Sequence, residues 1–97
     1  MGIGWKVEFT PLARRHLDEL EDRVRIEAIE VMRDLREDPF SPGHIPLRGY
    51  RDVYRIRFYR DQYRIIYRVL ENGLPRGCRG RMQLLALADP WRRVYWP

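Results

Sequence analysis

Val53-Tyr54-Arg55-Ile56-Arg57-Phe58, a polar link through Arg60 and Asp61, and Tyr63-Arg64-Ile65-Ile66-Tyr67-Arg68-Val69 form the stretch that decides the fold. Both runs are rich in β-branched and aromatic residues and alternate at period two, so they predict two antiparallel strands joined as a hairpin. Alternation then sorts the side chains. Tyr54, Ile56 and Phe58 share one face with Tyr63, Ile65, Tyr67 and Val69. The other face holds Arg55, Arg57, Arg64 and Arg68, with Ile66 among them. Like charges on neighbouring strands repel by roughly 0.2–1 kcal/mol for a directly opposed pair. Four arginines on one face are therefore expected to meet an anion. The alternative is that they snorkel and shield the sheet.

On the C-terminal side, a turn at Asn72-Gly73 and a Gly/Pro/Arg-rich stretch to Gly80 lead into Met82-Gln83-Leu84-Leu85-Ala86-Leu87-Ala88, an apolar run that reads as an inner strand. On the N-terminal side, residues 39–50 hold Pro39, Pro42, Gly43, Pro46 and Gly49 and read as a connecting loop. Pro39 ends a helix in which Val24, Ala28, Val31 and Leu35 recur on one face, widened by Ile26, Ile29 and Met32, with Asp22 as its expected cap. That apolar stripe is broader than one small sheet can cover. Thr10-Pro11 starts an earlier helix, the threonine capping and the proline at its first position, with Leu12, His16, Leu17 and Leu20 on one face. Lys6-Val7-Glu8-Phe9 alternates as a short first strand behind Trp5. The order β-α-α-β-β-β predicts an α+β fold: two N-terminal helices on one face of a small, mainly antiparallel sheet of about four strands.

A chain of 97 residues with 44% hydrophobic residues is expected to form one domain over residues 1–97. No apolar run approaches a membrane span and residues 1–4 are too short for a signal peptide, so a cytoplasmic protein is expected. Cys78 is the single cysteine, which leaves no intrachain disulfide and no cysteine-based zinc site. The net charge is +5, and Lys6 is the one lysine among 19 basic residues. Residues 1–38 hold 7 basic and 10 acidic side chains, net −3, against 12 and 4, net +8, in residues 39–97. A basic half beside a mildly acidic one implies a surface for a polyanion. No cluster of ligands has metal-binding spacing, and no metal or organic cofactor is expected.

Leu47-Arg48-Gly49, Tyr54-Arg55-Ile56-Arg57, Tyr63-Arg64-Ile65-Ile66-Tyr67 and Val94-Tyr95, in that order and spacing, resemble the RelE/ParE toxin superfamily. The opening Val7-Glu8-Phe9-Thr10-Pro11-Leu12-Ala13 is similar to the first strand and helix start of that family, so the resemblance runs from about Trp5 to Tyr95. It implies a toxin of a type II toxin–antitoxin system, with a cognate antitoxin as its protein partner. In RelE-type members it implies a ribosome-dependent mRNA endonuclease, or mRNA interferase, that inhibits translation. Its chemistry is metal-independent: a ribose 2′-hydroxyl attacks the adjacent phosphate and leaves a cyclic phosphate and a 5′-hydroxyl. Two alternatives stand beside this: a ParE-like toxin that inhibits DNA gyrase, and a non-catalytic module that binds RNA or a partner. The antitoxin segment is expected to be acidic and to lie over or near the arginines.

Position by position, the resemblance makes Arg64 the phosphate-stabilising arginine and puts Arg55 and Arg57 where RelE-type toxins carry a basic pair. Tyr95 matches the C-terminal tyrosine, which stacks on a base or assists proton transfer; the plainer reading is an aromatic covering the sheet edge. Arg48, Arg68, Trp91, Arg92 and Arg93 are the expected RNA-binding residues, the tryptophan offering a stacking plane beside the charges. Trp91 and Trp96 read equally as aromatics packed on the sheet. The pattern departs from the family in two places. The strand pair is arginine where lysine is common, and Asp89-Pro90-Trp91-Arg92-Arg93-Val94-Tyr95 lacks the usual histidine, with Arg92 the nearest substitute for its arginine. Arginine stays protonated and is a poor general base, so the proton-transfer group is left open between Tyr95 and others. His44, in the proline-rich loop, could reach the site but is expected as a solvated loop histidine, and His16 as a core-edge or interface residue.

Overall fold

The computed structural model describes residues 5–40, 42–70 and 80–88. Strand β1 (Lys6–Phe9) leads into helices α1 (Pro11–Glu19) and α2 (Asp22–Glu37). Strands β2 (Ile45–Pro46), β3 (Val53–Phe58), β4 (Tyr63–Leu70) and β5 (Arg81–Ala88) follow. The sheet runs in the order β1-β5-β4-β3-β2. Its class is the expected α+β, but the sheet is mixed. β3 pairs antiparallel with β2 and β4, and β4 with β5, while β1 pairs parallel with β5. The strand number rises to five because Ile45 and Pro46, inside the expected loop, pair with Arg55 and Tyr54. Proline is tolerated there because β2 is an edge strand.

The helix starts differ in kind. Thr10 takes an extended conformation and its hydroxyl oxygen accepts from the Ala13 amide at 3.1 Å, with Pro11 at the first position. The same hydroxyl lies 2.9 Å from the Leu85 carbonyl and 3.1 Å from that of Leu84, so the cap also ties α1 to β5. Asp22 does not cap α2. It lies inside the first turn, and Glu21 holds the cap position with no side-chain hydrogen bond. An acidic residue there still meets the positive end of the helix dipole.

Between helices and sheet, Ala13, Leu17, Val24, Ala28, Met32 and Leu35 pack on Ile56, Phe58, Ile65, Tyr67, Val69, Met82, Leu84 and Leu87. Those of β3 and β4 belong to the apolar rows predicted from alternation, and those of β5 to the expected inner strand. Tyr67 is fully buried, and its hydroxyl donates to the Pro39 carbonyl at 2.5 Å. That bond fixes the exit from α2 against the middle of β4. Where the apolar stripe of α2 outruns the sheet, Ile26 stays 60% exposed. Among the described residues, no helix is long and apolar enough to cross a membrane.

The apolar run of β5 hides a β-bulge. Ile66 pairs with Ala86 and Tyr67 with Leu84, which leaves Leu85 as the extra residue. Leu85 and Ala86 therefore join Val53 and Ile66 in a second buried cluster, against which Leu12 and Leu47 pack. His16 answers the irregularity from α1: it is buried, and its Nδ1 accepts the Leu87 amide at 3.2 Å. The expected core-edge histidine is thus an acceptor for β5, a role that requires Nδ1 to be unprotonated.

Candidate nucleic-acid interface

The β3–β4 register decides where the arginines stand. Arg57 is directly opposite Arg64, Arg55 opposite Ile66, and Val53 opposite Arg68. Directly opposed residues have Cβ atoms about 4.5–5.5 Å apart, so Arg57 and Arg64 are forced neighbours. Arg55 lies one strand repeat away on the same face. Its guanidinium is held below the ordinary arginine pKa, chiefly by burial and then by the charges of Arg64 and Arg57. The three side chains feel one another. Among the described residues, none of Arg55, Arg57, Arg64 and Arg68 forms an ion pair; those present involve Lys6, Arg14, Arg25 and Arg81.

The face is not purely charged. Val53 and Ile66, which alternate with the arginines, are buried in the second cluster beneath Leu12 and Leu47. Three cations thus lie at the hairpin end, against an apolar floor that lowers the local dielectric and strengthens any contact with an anion. Arg68 is one pair further along, half-buried, with its Nε buried and without a hydrogen-bond partner among the described residues.

The hairpin that brings Arg57 and Arg64 together is held from the helix side. Tyr59, Arg60 and Asp61 have φ of 51°, 58° and 62°, a left-handed run without a glycine. Such backbone costs of order 1–3 kcal/mol per residue and persists where surroundings fix it. Here the Tyr59 amide donates to the Glu27 carboxylate of α2, and the Gln62 amide to the Tyr59 carbonyl at 3.1 Å. The Tyr59 and Tyr63 rings pack edge to face. The sequence gives no sign of Glu27, because its partner is a backbone amide 32 residues away.

Other expected site residues fall elsewhere. Arg48 is exposed in the turn after Leu47, whose amide bonds to the Val53 carbonyl. It therefore lies toward the Val53–Arg68 end and away from the Arg57–Arg64 pair. Tyr95, Trp91, Arg92 and Arg93 lie outside the described residues, although the last residue of β5, Ala88, pairs with Arg64. His44 is half-buried rather than solvated, its ring 5.6 Å from Tyr54 and 5.7 Å from Phe40. Tyr54 faces the helices, so His44 is removed from the arginine face. The strand rows holding Arg55, Arg57 and Arg64 contain no carboxylate or imidazole. What these rows can do is hold and stabilise a phosphate.

The sequence missed Arg81 and Lys6. Arg81 opens β5, pairs with Leu70 on one side and Lys6 on the other, and shares the face of Arg68. Its signal was parity with Gln83, obscured because the Arg-rich stretch before it read as loop.

No protein-family model and no curated protein matches this chain. Solved structures do. The isolated E. coli RelE toxin superposes with a TM-score of 0.74 at 20% identity, over 91% of this chain and 86% of that one. A chain of the toxin–antitoxin complex RelBE2 from Mycobacterium tuberculosis gives 0.71 at 25% identity, over 89% and 98%. The archaeal RelE–RelB complex from Pyrococcus horikoshii gives 0.71 at 22% identity, over 91% and 97%. Helices, mixed sheet and their order define this chain as an α+β protein with the RelE-like toxin fold.

Proposed function

We propose that this chain, one domain over residues 1–97, is the toxin of a type II toxin–antitoxin pair and cleaves mRNA on the ribosome, in the cytoplasm. The observation that carries the reading is the group of Arg55, Arg57 and Arg64, on one face and without an acidic partner among the described residues. The fold shared with RelE structures, some solved as complexes with antitoxin, supports it.

In this reading the phosphate at the cut lies among the three guanidinium groups. Arg64 offers two parallel N–H donors to its oxygens, and Arg57 and Arg55 add charge as the phosphate becomes more negative in the transition state. The burial and the repulsion by Arg64 and Arg57 that depress Arg55 are offset when the anion arrives. The 2′-hydroxyl gives up its proton as its oxygen attacks the phosphorus, the bond to the 5′-oxygen breaks, and that oxygen takes up a proton. The ribosome holds the mRNA in line, which supplies the alignment term. Tyr95 is the proposed proton-transfer or stacking residue, with Trp91, Arg92 and Arg93 binding RNA beside it and Arg48 and Arg68 binding it along the sheet. The cognate antitoxin neutralises the toxin by laying an acidic segment over or near the arginines.

Inducing the chain alone in bacteria and mapping mRNA 5′ ends tests the reading, with a gyrase supercoiling assay alongside. Growth arrest with new cuts inside translated codons is the expected result. Inhibited supercoiling with intact mRNA would instead assign the chain to the ParE-like class.

A further inference from the structure

The arginine face does not end at the hairpin. Arg68 on β4 pairs with Gln83 on β5, Leu70 pairs with Arg81, and Arg81 pairs with Lys6 on β1. Arg81 is thus the diagonal neighbour of Arg68, within reach of a long side chain, and Lys6 is directly beside it. From Arg64 to the Arg81 row is six residues along β4, or about 20 Å at strand rise. On β4 and β5 the row between Arg64 and Arg68 is Ile66 and Ala86, both buried, and the β3 member of that row is Arg55. Arg55 and Arg68 are therefore diagonal neighbours, and the cationic face continues from Arg57 and Arg64, past the buried Ile66 and Ala86, to Arg81 and Lys6.

The Arg81 end has a counter-charge built in. Glu8 lies 3.9 Å from Arg81 and 4.0 Å from Lys6, two loose contacts shared by one carboxylate. Arg68, Arg81 and Lys6 together exceed it by two charges. The Nε atoms of Arg68 and Arg81 are both buried with no hydrogen-bond partner among the described residues. These guanidinium groups are under-satisfied where they stand, and exposed pairs at such distances contribute little.

We propose that Arg68, Arg81 and Lys6 form a second phosphate subsite, which holds the same single RNA strand a few nucleotides along from the phosphate at Arg57 and Arg64, with Glu8 as an internal competitor. This rests on the reading of the face as an RNA site and extends it to residues outside the cleavage group. An acidic protein segment would meet the same charges. RNA is favoured because cations distributed over about 20 Å of one sheet face, from Arg64 to the Arg81 row, match a polyanion of regular charge spacing.

The test is fluorescence anisotropy with a labelled, fully 2′-O-methylated strand of about ten nucleotides, long enough to span both groups and unable to be cut. Arg81→Gln is expected to weaken binding several-fold and to reduce the slope of log affinity against log salt by about 0.7, one phosphate contact on a single strand. Glu8→Gln is expected to tighten binding, which guards against a merely misfolded Arg81 variant. Unchanged affinity and slope in Arg81→Gln, no gain in Glu8→Gln, or no binding by the unaltered chain each overturns the subsite. Polyglutamate binding that is tighter than RNA and equally sensitive to Arg81→Gln gives the site to an acidic protein and also overturns it. Cleavage of ribosome-bound mRNA is measured in parallel. Cleavage with an unaltered Arg81→Gln slope discards the subsite and keeps the nuclease. A reduced slope without cleavage does the reverse.

Discussion

Arg57→Gln is predicted to make the protein more stable and less active at once. Arg57 and Arg64 are directly opposed in the β3–β4 ladder and both are exposed. The opposition costs about 0.2–1 kcal/mol, and removing one charge also relieves Arg55. Glutamine keeps the length and the strand position without the charge. For a domain of this size each kcal/mol moves Tm by about 4–8 °C, so a rise of about 1–8 °C is expected at low ionic strength. Urea denaturation should show the same gain at an unchanged m-value, since the surface exposed on unfolding is the same. In about 1 M salt the Debye length falls to about 3 Å and most of the gain should vanish. Cleavage should fall by about 10²-fold or more as one transition-state donor is lost. A variant that is destabilised in low salt, or whose gain is as large in high salt, would refute the claim that these two side chains repel.

Tyr67→Phe leaves the buried Pro39 carbonyl without its donor and is expected to cost about 1–3 kcal/mol in urea denaturation. Burial, then Tyr54 and Asp38, raise the Tyr67 pKa, so the unfolded chain ionises first. Stability of the unaltered protein should therefore fall as pH rises through about 10, and Tyr67→Phe should flatten that fall in alkaline titrations. Glu27→Ala removes the acceptor of the Tyr59 amide and should speed hydrogen exchange at Tyr59 and Gln62, whereas Glu27→Gln retains an acceptor and should not. Asp61→Gly relieves a left-handed residue of its Cβ and should raise stability by about 1 kcal/mol; a loss would show that the Asp61 side chain holds the turn.

Where a residue's role follows from its own neighbours in sequence, the sequence was sufficient. Period two placed Arg55, Arg57, Arg64 and Arg68 on one face and Tyr54, Ile56, Phe58, Ile65 and Tyr67 on the other, because strand side chains alternate whatever the partner. Thr10-Pro11 and Pro39 marked helix ends through local backbone chemistry. What was hidden depends on distant partners. The parallel pairing of Lys6–Phe9 with Arg81–Leu84 has no local signature. The bulge at Leu85 is invisible in a run where every neighbour is apolar, and so was the histidine acceptor that accompanies it. Asp22 resembles a cap, but Glu21 occupies that position. In the candidate site, the shared face could be read, whereas the Glu27 tether and the extension through Arg81 and Lys6 required the register of three strands.

The most direct test is single-turnover cleavage of end-labelled mRNA bound to ribosomes, comparing the unaltered chain with Arg64→Ala. The account predicts cuts bearing a cyclic phosphate and a 5′-hydroxyl, and a rate for Arg64→Ala lower by about 10²–10³-fold with the fold retained. Cleavage by Arg64→Ala at the unaltered rate, or mRNA left whole by the unaltered chain, would contradict it.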